Sequence, residues 1–186
     1  MSLRPEKVTV SAEHPCPATL ADQPELACLV DAAIRVNLAA FLTPDQVHAS
    51  HAIMGLDTQL IRDGTYFVIR RDGVIAACGG WSRRATLYGG DTTPGRDAAL
   101  LDPARDAARV RAMYTHPAYT RRGLGRLVLA ACEAAACAAG FGSVELMATM
   151  GGEPLYRACG YRAVEPVSDD RGGVPVPLLR MVKSLV

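Results

Sequence analysis

The residues best suited to chemistry lie in the run Met113 to Arg126, MYTHPAYTRRGLGR, where Gly123 and Gly125 are set among Arg121, Arg122 and Arg126. Glycine has no Cβ, so it neither blocks the close approach of a ligand nor resists unusual backbone dihedrals. Arginine adds positive charge and a fork that matches phosphate oxygens. If such a turn opens a helix, it also presents N–H groups with no internal partner and the positive end of the helix dipole. Together these features make a phosphate or pyrophosphate cradle. An ordinary tight turn can carry the same glycines, so the flanking elements decide between the two.

Before the turn, Arg109 to Thr115 (RVRAMYT) alternates as a strand. Val110, Ala112 and Tyr114 are assigned to one face and Arg109, Arg111 and Met113 to the other. After it, Gly125 to Ala139 consists almost entirely of good helix formers. Leu124, Leu127, Val128, Ala131 and Ala135 recur at helical spacing, and Gly140 supplies the stop. Other phosphate motifs fit less well. A dinucleotide fingerprint needs a third glycine where Val128 stands, and the Gly-Lys-Ser/Thr of a P-loop is absent from the sequence.

On these residues the chain resembles the Gcn5-related N-acetyltransferase (GNAT) family, whose acetyl-CoA motif is Gln/Arg-x-x-Gly-x-Gly/Ala after a fourth strand. Here Thr120 occupies the first motif position and the basic residues stand one place further along. A second stretch, GEPLYRACGY over residues 152–161, is similar to the family's late helix with its Leu-Tyr-x-x-x-Gly-Phe/Tyr ending. The strand Ser143 to Ala148 lies between the two, as the family's fifth strand does. The resemblance is strongest over 107–165.

The resemblance implies an α/β (α+β) fold: a mixed, mostly antiparallel sheet flanked by helices, with the fourth and fifth strands splayed to admit acetyl-CoA. It implies that Met113, Tyr114 and Thr115 pair with the pantetheine chain. Thr120, Arg121, Arg122, Gly123, Leu124, Gly125 and Arg126 would hold the pyrophosphate. Thr149 stands where the family often has a pantetheine-contacting asparagine. Tyr156 would lie near the thioester sulfur, where a phenol of pKa about 10 can protonate the departing thiolate. No metal is implied, and a homodimer is a common arrangement among relatives.

The chain has 186 residues, within the range of one domain with a sizeable core, and is taken as a single N-acetyltransferase domain over 1–186. With 20 basic and 19 acidic residues its net charge is +1, so no bulk field draws in nucleic acid or an anionic membrane. Six cysteines without a Cys-x-x-Cys pair are expected to be reduced. With the polar start MSLRPEK and no apolar run of about 18 residues, they point to the cytoplasm. His48 and His51 could share a helix face, but no third ligand accompanies them, and a solvated pair is the expectation.

Elsewhere, residues 22–41 and Pro44 to Met54 read as helices, which in the family cover the substrate side. Thr65 to Arg70 and Val74 to Ser82 read as strands joined through Asp72-Gly73, a strong hairpin signal. Residues 1–10, with Val8 and Val10, are the candidate first strand. Arg83 to Ala108 is too long for a plain connector and is a candidate functional loop beside the acceptor. Tyr161 to Val167 and Val174 to Lys183 read as the last strands, with Pro175 and Pro177 arguing for an edge position at the start of the final one.

The expected reaction is direct attack of a small-molecule primary amine on acetyl-CoA, with a backbone N–H of the fourth strand meeting the oxyanion. The candidate bases are Glu153, Glu145, Asp91 and Asp97. An acid at a helix start, as at Glu153, is also favourable on electrostatic grounds alone. Trp81, Arg83 and Arg84 are candidates to shape the acceptor pocket, with core packing the stronger reading for Trp81. A noncatalytic acyl-CoA-binding sensor or scaffold, or an enzyme acting on a peptide or protein, remains open.

Overall fold

The computed structural model describes residues 14–185, so the candidate first strand with Val8 and Val10 lies outside the described residues. Seven strands form one sheet in the order β1-β2-β3-β4-β5-β7-β6. β1 (Cys16–Pro17) is a two-residue edge strand on β2 (Tyr66–Arg71), and β3 (Val74–Ser82) follows through the Asp72-Gly73 turn. Both turn residues have positive φ, 51° and 82°, as the twist of a two-residue hairpin requires. β4 (Ala108–Thr115) pairs antiparallel with β3 and parallel with β5 (Ser143–Thr149). β7 (Val176–Ser184) lies between β5 and the edge strand β6 (Arg162–Asp169), antiparallel to both.

The start of β7 has the edge position expected from its prolines, although β7 is interior from Leu178 onward. The ladder with β5 ends at Thr149 opposite Leu178, so Pro177 lies past the end of β5 and faces only Ser168 of β6. No hydrogen bond to β5 is lost there.

Helices cover both faces. On one, α4 (Leu124–Ala138) packs Val128, Leu129 and Cys132 against Val110, Leu146 and Ala148. On the other lie α1 (Gln23–Ala32), continued by a π-helical turn at Ala33–Asn37, then α2 (Pro44–Ser50) and α3 (Thr58–Arg62). α3 has five residues, too few for a periodic signal, and was not foreseen. α5 (Glu153–Ala158) follows β5.

Two irregularities of β4 create the site. Its parallel ladder with β5 comprises only Ala108↔Val144 and Arg109↔Glu145, after which the strands diverge. Its register with β3 slips by one residue, so that Ala112 and Met113 stand opposite Gly79 alone, and Ala112 has a φ of +51°. This is a β-bulge. It overturns the face assignment drawn from simple alternation. Val110 and Met113 share the α4 face, whereas Ala112 and Tyr114 pack on the α1 face, where Arg111 pairs with Asp57. The extra residue changes the parity of everything after it.

The bulge is pinned from below. The Tyr66 hydroxyl donates to the Ala112 carbonyl at 3.0 Å. Arg111, with 2% of its side chain exposed, pairs at 2.7 Å with Asp57, whose side chain is 0% exposed. Asp57 also accepts from Arg96 of the long loop and from the Gln59 N–H at the start of α3. Burial lowers the Arg111 pKa and the Asp57 charge opposes that shift. Removing one partner of such a pair strands the other charge. Asp57→Ala should therefore destabilise the protein by about 3–5 kcal/mol in urea unfolding, whereas Asp31→Ala, breaking the exposed pair with Arg35, should cost under about 1 kcal/mol. Equal small losses would show that the buried pair does not anchor the strand.

Candidate active site

A cavity of about 460 Å³ opens where β4 and β5 diverge. One end is the turn leading into α4. Gly123 is the helix N-cap with φ +83°, and no side chain caps the helix. Arg121 also has a positive φ, +61°, so two left-handed residues fold the turn back on itself. The first N–H groups of this 15-residue helix are thus left for an anion. Leu124 is buried in the core beneath and anchors the turn.

Of the cofactor-binding candidates, Met113, Tyr114, Thr115, Thr120, Arg121, Gly125 and Thr149 line the cavity. Arg122, Gly123, Leu124 and Arg126 belong to the turn and helix start outside its lining, with Arg122 lying 5.2 Å from the centroid of the Tyr119 ring. Gly125 faces Leu155 of α5: a Cβ there would come within 3.1 Å of the Leu155 side chain and 3.8 Å of Thr115 Oγ1. The Thr149 hydroxyl is engaged locally, accepting the Gly152 N–H at 3.1 Å.

Tyr156 lines the same cavity from α5, 7% exposed, its ring edge-on to Tyr161. Burial pushes its phenol well above the ordinary tyrosine value, so it stays protonated at and beyond pH 10. Its hydroxyl has no hydrogen-bond partner among the described residues. A protonated phenol with a free hydroxyl thus lines the same cavity as the turn into α4.

The other end of the cavity is built by residues without a sequence motif. Ile34, Asn37 and Phe41 come from the helical side, Leu87 and Tyr88 from the long loop, and Met147 and Leu178 from β5 and β7. Asn37 donates to the Thr115 carbonyl at 2.8 Å, tying the π-helical turn to β4. The Phe41 ring lies over Gly151, where a Cβ would approach it to 2.9 Å. The candidate loop does border the cavity, through Leu87, Tyr88 and Gly89.

Several candidates do not converge here. Glu145 is held between Arg109 and Arg180, Glu153 by Arg157, and Asp91 by the Thr58 N–H and Arg96. Asp97 accepts from the Ala99 N–H. None lines the cavity. Trp81 packs edge-on against Phe141 in the core, and Arg84 pairs with Asp63; with Arg83, both lie outside the lining. Among the described residues no three His, Cys, Asp or Glu side chains are grouped to hold a metal ion, and no helix is long and apolar enough to cross a membrane.

The acetyltransferase (GNAT) domain family matches residues 62–163. No curated protein matches the sequence. Among solved structures, the chain is similar to a GCN5-related N-acetyltransferase described as a class-II aminotransferase from Rhodopseudomonas palustris. The TM-score is 0.69 and the identity 19%, covering 94% of this chain and 96% of the other. It is also similar to the PaiA N-acetyltransferase of Thermoplasma acidophilum in complex with coenzyme A, with TM-score 0.64, 11% identity and coverage of 94% and 99%. A third is the ribosomal-protein-alanine N-acetyltransferase of Brucella melitensis, with TM-score 0.62, 18% identity and coverage of 91% and 98%.

The turn yields a direct test. Saturating coenzyme A, at 100 times its dissociation constant, should stabilise the protein by about 2.7 kcal/mol. Gly125→Val should abolish that stabilisation, because its side chain would fill the space between the helix start, Leu155 and Thr115. The melting temperature without ligand reports the fold separately. Undiminished stabilisation of the variant would mean that the pyrophosphate does not sit on this turn.

Proposed function

We propose, from the premise that the chain belongs to the Gcn5-related N-acetyltransferase family, that it acts as a single N-acetyltransferase domain. It transfers the acetyl group of acetyl-CoA to the primary amine of a small molecule by direct attack. The observation that carries this reading is the placement of the free Tyr156 hydroxyl in the same cavity as the turn into the uncapped start of α4.

The pyrophosphate rests on the turn Thr120 to Arg126, and the pantetheine runs along the edge of β4 that β5 has left. The amine nitrogen attacks the thioester carbon, forming the C–N bond, and the carbonyl oxygen gathers negative charge. Backbone N–H groups at the bulge of Ala112 and Met113, past the point where β5 leaves β4, would meet it. The C–S bond then breaks and the thiolate takes the Tyr156 proton. The nitrogen loses its surplus proton to the phenolate or to water.

No Asp, Glu, His or Lys lines the cavity among the described residues, so the amine enters as its free base. An alkylamine of pKa about 10.4 is neutral in only about one molecule in two thousand at pH 7. An apolar wall favours that neutral form. The six cysteines are free and three are exposed, which supports the cytoplasm as the working compartment.

Tyr156→Phe should lower kcat at least about tenfold while leaving acetyl-CoA affinity nearly unchanged; an unaltered kcat would remove the tyrosine from the reaction. The pH profile gives a second test. Because burial raises the phenol pKa, the acid form persists as pH rises through 10. With an alkylamine acceptor, kcat/KM should climb about tenfold per unit from about pH 6 to about pH 9, following the free amine, with no falling limb. A falling limb in that interval would assign the proton donor to another group.

A further inference from the structure

We infer that the acceptor is a small apolar amine, aryl or aryl-alkyl in character, with no carboxylate and no second positive charge. The inference rests on the acetyltransferase reading and concerns what the acceptor end of the same cavity admits.

The wall there is apolar: Ile34, Phe41, Leu87, Met147 and Leu178 converge from four separate segments. Val36 and Phe41 are 54% and 53% exposed, and both line the cavity from the helical side. Single exposed apolar side chains are ordinary, but two on the wall of one cavity fit an apolar ligand.

The Tyr88 and Tyr114 hydroxyls and the Asn37 side-chain N–H at that end are already committed, while the buried Arg111 Nε is not. The Tyr88 hydroxyl donates to Asp169 at 2.7 Å, and the Tyr114 hydroxyl accepts the Gly55 N–H at 3.0 Å. The Asn37 amide donates to the Thr115 carbonyl. Arg111 faces the cavity, but its charge is met by Asp57, and an acceptor carboxylate placed there would lie beside the Asp57 carboxylate. The other lining cation, Arg121, belongs to the phosphate turn. A second ammonium on the acceptor would be desolvated without a counter-charge, since no lining side chain is acidic.

The test is steady-state release of the CoA thiol by the wild-type protein at saturating acetyl-CoA. Four acceptors are compared: 2-phenylethylamine, phenylalanine, spermidine and a short peptide with a free N-terminal alanine. The first two share ring and amine and differ by the carboxylate alone. Phenylethylamine should exceed each of the others in kcat/KM by at least about 100-fold, the scale on which a site rejects a group it cannot pair. Preference for phenylalanine, spermidine or the peptide would overturn the inference and leave the transferase reading standing. Stabilisation by acetyl-CoA without CoA release from any acceptor would overturn both.

Discussion

A guanidinium almost wholly removed from water needs its counter-ion, and Arg111, immediately before the bulge, has Asp57. That requirement fixes more than one residue. Asp57 begins α3 and receives Arg96 from the long loop, so the ion pair ties together β4, a helix start and a loop far apart in sequence. One residue further on, Tyr66 holds the Ala112 carbonyl from β2. Between them, the two contacts hold the strand in a left-handed step that a non-glycine residue otherwise resists. β4 has already parted from β5 after Arg109, and the step lies on the strand edge that borders the cleft.

The two ends of the cleft are mechanically joined. Gly125 in the first turn of α4 packs against Leu155 of α5, the neighbour in sequence of Tyr156. The helix start that would take the pyrophosphate thus positions the helix that carries the phenol. A glycine at 125 serves two purposes, leaving the amides open to an anion and letting α5 dock closely. The separation between the phosphate turn and the hydroxyl is set by packing rather than by a flexible connector.

What the sequence disclosed was local. The glycine turn, the Asp-Gly hairpin and the helix of α4 each follow from neighbouring residue types, so they could be read without tertiary information. The bulge could not: alternation over Arg109 to Thr115 is unbroken, and the extra residue is imposed by Tyr66 and Asp57 from elsewhere. The prolines marked the one-sided start of β7, but nothing local reveals that β5 joins it from Leu178 onward. The carboxylate candidates failed for the same reason. Glu145 looks available in sequence, yet Arg109 and Arg180, 36 and 35 residues away, take both its oxygens. The apolar wall of the cavity had no signal at all, since its members come from separate segments and each is individually an ordinary apolar residue.

Burial of Tyr156 works against the proposed proton transfer in one respect, because a phenol pushed up in pKa is a weaker acid. The leaving group, however, departs into the same dry cleft. Burial disfavours the charged form of a thiol as it does that of a phenol, and this protein contains a direct analogue. Cys78, fully enclosed on β3, is pushed up to about 12 by burial. A CoA thiolate formed beside Tyr156 would be raised in the same sense, so the driving force for proton transfer between them is largely kept. What changes is the alternative: a thiolate left without a proton in that cleft is more costly than one in water, so collapse of a tetrahedral intermediate there would depend more strongly on a nearby proton donor such as Tyr156.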